Sequence, residues 1–133
     1  MTSREVIAHF ERGLPREEPF HHREHVQLAF AYMSEYPLLE ALQKFSIGLQ
    51  DFAIRRGKPK LYHQTITYAY FFLIRERMAR CEGAAWEEFA LKNPELLTWK
   101  DGILTRYYQE ATLQSDFARK VFVFPDKGQP DKC

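Results

Sequence analysis

Apolar residues recur along this chain at helical spacing, with little of the strict alternation that marks half-buried strands. The clearest stripe is Leu38, Leu42, Phe45, Leu49 and Phe52, with Glu40, Gln43, Lys44, Gln50 and Asp51 opposite. Steps of three and four residues put the stripe on one helix face. The pattern predicts a helix from residue 38 to 55 or 56, with Pro37 at its first turn and Gly57 beyond its end. Ahead of it, His22, His25, Ala29, Tyr32, Met33 and Tyr36 share one face of a helix over residues 22–36. A short helix over residues 4–12 presents Val6, Ile7 and Phe10, with Ser3 as its cap and Gly13 as its stop.

The segment 61–80 predicts a fourth helix, apolar on nearly all sides from Tyr68 to Ile74, as befits the middle of a bundle. Shorter helical pieces follow over 84–92 and 95–108, separated by Asn93-Pro94. A last helix is capped by Ser115. Val121 to Phe124 reads as an extended piece without a partner strand, and no hairpin signal occurs. The expected fold is all-α: an irregular bundle of about five to seven helices in one domain over residues 1–133. The core should run from about residue 3 to 124, with a loose tail over 125–133.

Composition narrows the function classes. Nineteen basic and eighteen acidic residues leave a net charge of +1, which gives no reason to expect nucleic acid as a partner. No apolar run approaches a membrane span, so no membrane partner is expected. The start of the chain lacks a secretory apolar core, and Cys81 and Cys133 make no disulfide framework. A cytoplasmic protein is the simplest expectation. Eleven Phe, seven Tyr and two Trp promise an aromatic core with polar tips seeking partners.

The candidate chemistry lies in the histidines. His22 and His25 are three residues apart on an apolar helix face, and His63 shares a stripe with Thr67, Tyr70, Ile74 and Met78 on the fourth helix. If the two helices pack with their N-terminal ends together, these imidazoles converge. Three imidazoles with an open position suit a divalent transition metal such as zinc, nickel or iron, possible at a hydrolase or lyase centre. A helix start displaced by a residue or two would bring His21 inward instead of His22. The competing reading makes the histidines core groups, hydrogen-bonded to Tyr, Thr or backbone, or the polar lining of a metal-free pocket. His9 reads as surface.

The segments Phe20-His-His-Arg-Glu-His25, Tyr62-His-Gln-Thr-Ile-Thr67, Asn93-Pro-Glu-Leu-Leu97, Tyr107-Tyr108, Leu113-Gln-Ser115, Ala118-Arg119 and Pro125-Asp126 carry a resemblance. In order and type they resemble an uncharacterised family of small bacterial helical proteins with an F-x-H-x-x-H … Y-H-x-T-x-T pattern. The resemblance spans Phe20 to Asp126 and aligns His22, His25 and His63, with Gln64 where Glu is expected. It implies no activity.

Other residues bear on a ligand site. Tyr62, Thr67, Tyr32 and Tyr70 could line a pocket with hydroxyls, although a helical Thr more often bonds its own helix carbonyl. Arg55, Arg56, Lys58 and Lys60 form a basic loop that could attract a phosphate or carboxylate, or be simply solvated. Arg119 could bind an anionic ligand or pair with Asp116 or Asp126. Three readings follow: a metalloprotein acting on a small molecule, a metal-free binder of a small anionic ligand, or an interaction module with a polar histidine core.

Overall fold

The computed structural model describes residues 1–15 and 17–127. Among them the chain forms α1 Ser3–Glu11, α2 His22–Glu35, α3 Leu38–Arg55, α4 Gln64–Arg80, α5 Trp86–Lys92, α6 Glu110–Leu113 and α7 Asp116–Lys120. Short 3-10 turns occur at Pro59–Leu61, Pro94–Leu96 and Ile103–Arg106. No strand is present among the described residues. The expected all-α bundle is the fold.

The caps explain where prediction and structure part. Thr2, not Ser3, caps α1. Its hydroxyl accepts from the Glu5 N–H and Glu5 accepts in return from the Thr2 N–H, the reciprocal box that Thr-x-x-Glu spacing allows. The fourth helix starts at Gln64 rather than residue 61. Pro59 opens a separate 3-10 turn, and Tyr62 and His63 are extended. The pieces expected as helices within 95–108 are two 3-10 turns, the form in which three- and four-residue helical connectors commonly occur.

Helix α4 is central, packing on α2, α3, α7 and the Ile103–Arg106 turn. Its Phe71 and Ile74 are fully buried, as are Val26, Leu28 and Tyr32 on α2. Helix α2 is buried around more of its circumference than one face predicts, because α1 covers one side while α3 and α4 cover others. Of the α3 stripe, Phe45 and Leu49 are buried, whereas Leu38, at the helix start, remains 38% exposed.

The C-terminal part is held by side chains. Thr65, fully buried at the start of α4, has its Oγ1 2.7 Å from Ala118 O and 2.9 Å from Val121 O. The same oxygen accepts from the Val123 N–H at 3.1 Å, and the Tyr108 hydroxyl donates to Val123 O at 2.6 Å. The extended piece around Val123 is therefore pinned without belonging to a sheet. Asp126 accepts from the Gln109 N–H at 3.0 Å and from the Thr112 hydroxyl, so the chain is tied down beyond residue 125, where looseness was expected. Residues 128–133, Cys133 included, lie outside the described part. No described helix is long and apolar enough to cross a membrane.

Candidate functional site

A cavity of about 890 Å³ opens between α2, α3, α4 and the Pro59–Leu61 turn. Helix α2 contributes His22, His25 and Val26, α3 contributes Phe45, Leu49 and Phe52, and α4 contributes Ile66, Thr67, Tyr70 and Ile74. Exposed Lys58, Lys60, Leu61 and Trp99 line its rim. The size falls within the roughly 300–1,000 Å³ of small-molecule sites.

The relative slide of α2 and α4 decides what the histidines do. The His22 ring packs edge-on against Tyr70, centroids 4.7 Å apart. Tyr70 follows His63 by seven residues, roughly 10 Å along a helix. The start of α2 therefore lies beside the second turn of α4 instead of its first residue. His22, His25 and His63 line one cavity but do not gather, and no group of three or more His, Cys, Asp or Glu among the described residues is placed to hold a metal ion.

His63 is the N-cap of α4. Its Nδ1 accepts from the Ile66 N–H at 3.1 Å, and its Nε2 lies 2.7 Å from Leu113 O. Only a neutral ring protonated at Nε2 makes both bonds. Burial holds its pKa below the usual histidine value, with Arg119 adding in the same direction. His22 likewise presents Nε2 to Leu96 O at 2.8 Å, and burial lowers its pKa against the raising effect of that bond. A zinc, nickel or iron ion on all three rings would have to take a nitrogen of His63 from its backbone partner. His21 is the exposed cap residue of α2, so His22 is the inward one.

His25 differs from both. Its ring packs on Phe20, centroids 4.5 Å apart, and its nitrogens make no hydrogen bond within the described residues but are not sealed from the cavity. Burial, then His22 and His21, push its pKa down to about 4. At neutral pH it thus offers the cavity one N–H and one bare nitrogen.

Tyr70 and Thr67 face the same space. The Tyr70 hydroxyl makes no hydrogen bond within the described residues, and the Thr67 hydroxyl stands beside the Tyr62 phenol instead of making the helix-carbonyl bond expected of it. Burial pushes the Tyr70 phenol up to about 12. A Cβ on Gly102 would lie 2.9 Å from this hydroxyl and 2.7 Å from Thr98 O, so the absence of a side chain there lets the chain close over Tyr70.

Tyr62 stands in the wall. Its hydroxyl donates to Gln64 Oε1 at 2.6 Å, and burial raises its pKa to about 12, moderated by neighbouring Thr67 and Gln50. Its other side borders a smaller hollow of about 320 Å³ that also meets Arg119 and Lys120. Arg119 pairs with Asp116 at 3.1 Å and does not reach the main cavity. Tyr32 is likewise elsewhere: buried under α1, it donates to Glu11 Oε2 at 2.7 Å. Both were expected at a ligand site; neither lines the main cavity, and each has a carboxylate partner within the protein.

Trp99 escaped the sequence reading. It sits between Thr98 and Lys100, where no periodic apolar pattern marks it, yet it lies 5.2 Å from the His22 ring at the cavity rim. Thr65 likewise carries no local signal in the sequence.

Several residues of the segments singled out in the sequence bond one another. His22 meets Leu96, His63 meets Leu113, Thr65 meets Ala118, and Asp126 closes on the residue after Tyr108. Comparison with family models, curated proteins and solved structures finds no match for the chain.

Proposed function

We propose that this protein binds a small organic anion in the cavity between α2, α3 and α4, without a metal ion. The observation that carries the reading is the charge of the wall. Among the described residues every charged side chain on it is a cation, Arg56, Lys58 or Lys60, and no carboxylate faces it. Arg56 is partly committed, donating to Pro15 O and Glu18 O and lying over the Phe52 ring. Lys58 and Lys60 are exposed and have no ion-pair partner among the described residues. Apolar walls capped by unopposed cations suit a ligand with an apolar body and an anionic end.

Calorimetric titration with 2-naphthoate and with decanoate tests this. At least one should bind saturably with a Kd below about 1 mM. Charge reversal by Lys58→Glu with Lys60→Glu should weaken that binding about tenfold or more, since two attractive charges become repulsive. The thermal midpoint should barely move, because both side chains are exposed. Zinc, nickel or iron(II) salts should leave affinity unchanged. Absence of saturable binding by either probe, or indifference to charge reversal, would remove the reading.

A further inference from the structure

The polar groups inside the cavity define its occupant more narrowly than the charge at its rim. We infer that the ligand is an aromatic anion whose buried end carries a hydroxyl or a ring nitrogen. The inference rests on the cavity being an anion site and adds what the inner part of that anion must be.

Two observations carry it. The first is a set of polar groups turned to the cavity: the His25 ring and the Tyr70 hydroxyl make no hydrogen bond within the described residues and are not sealed from solvent, and the Thr67 hydroxyl beside them has only the Tyr62 phenol as a neighbour. They lie on facing helices, α2 and α4, and are far less exposed than Lys58 and Lys60 at the rim. Neutral His25 offers both a donor and an acceptor, and each hydroxyl can act either way. A plain alkyl chain pushed among them would strip their water and return no bond, which is costly for each group. A hydroxyl or ring nitrogen arriving at the same place satisfies them.

The second is the shape and make-up of the walls. Phe20, Phe52, Tyr62, Tyr70 and Trp99 present ring surfaces to the space. Ring faces and edges favour a flat occupant through offset stacking and edge contacts, which a flexible chain cannot match. Charge at one end and a hydrogen-bonding atom at the other, on a flat apolar body, also fits the separation of rim cations from buried polar groups.

The matched probes are 2-naphthoate and 6-hydroxy-2-naphthoate, which differ by one hydroxyl at the end away from the carboxylate. The hydroxylated probe should bind about tenfold more tightly to the unmodified protein. Tyr70→Phe deletes only an unpartnered hydroxyl and should leave the fold intact. It should shrink the advantage by weakening the hydroxylated probe, while 2-naphthoate, which no longer strips an unanswered hydroxyl of its water, binds as tightly or more tightly, and His25→Leu should act in the same direction. Equal or weaker binding of the hydroxylated probe, with 2-naphthoate still bound, overturns this inference and leaves the anion site standing. So does an advantage that survives both substitutions. Failure of both naphthoates and of decanoate to bind overturns the anion site and this inference together.

Discussion

Lowering the pH from 7 to 4 should cost the folded protein about 3 kcal/mol through His25 alone. Its pKa is pushed down to about 4 by burial and neighbouring histidines, whereas in the unfolded chain it titrates near 6.5. Between those values the unfolded chain binds the extra proton and the folded chain does not. The His25 share of stability is therefore complete above about pH 6.5 and is lost as the pH falls through about 4. His22 and His63 are lowered in the same direction, and His63 would also lose its acceptor for the Ile66 N–H on protonation. Urea unfolding followed by circular dichroism at pH 7, 6, 5 and 4 measures this. The midpoint should hold steady down to about pH 6.5 and then fall, with a shallower fall in His25→Leu. A midpoint that is flat or rising from pH 7 to pH 5 contradicts the neutral, buried state of these rings.

Thr65→Val should destabilise the protein by about 2–3 kcal/mol, although it changes only a hydroxyl for a methyl. That hydroxyl serves the Val123 N–H and the carbonyls of Ala118 and Val121. Valine leaves them without their partner while filling the same volume, and a stranded buried polar group costs more than a typical bond contributes. Thr67→Val, two residues on, should stay within about 1 kcal/mol, because that hydroxyl stands at the open cavity beside the Tyr62 phenol, which keeps Gln64 as a partner, and strands no backbone group. Parallel denaturant unfolding of the two variants gives the comparison directly, and hydrogen exchange should show lost protection at Val123 in Thr65→Val only. Similar losses in both would mean that Thr65 holds nothing that Thr67 does not.

These threonines also mark what the sequence could and could not convey. Helix α3 was legible because its stripe is amphipathic and its burial one-sided. Helix α4 was legible as central because it is apolar all round, but its start was not. On a helical wheel Tyr62 and His63 continue the stripe of Thr67 and Tyr70, so they read as a first turn. What stops the helix short of them is Pro59 and a histidine ring bent back on Ile66, braced by a carbonyl fifty residues away. Local pattern carries no trace of a brace that distant. The same holds for the histidines. Their inward direction followed from periodicity, but whether they meet depends on how far α4 slides along α2, a matter of packing volume. The motifs left open whether each of their residues grips ligand or backbone. His22, His63 and Thr65 hold backbone, whereas His25, Thr67 and Tyr70 face open space.

The placement of the two tryptophans has an optical consequence. Trp86 is 8% exposed in the core against Phe30 and Phe89, whereas Trp99 is 59% exposed at the cavity mouth. Their emission therefore divides into a blue component blind to the cavity and a red one that reports on it. A molecule seated beneath Trp99 displaces water from that indole and shifts only the red component, so the chain carries an unlabelled fluorescent gauge of its own occupancy.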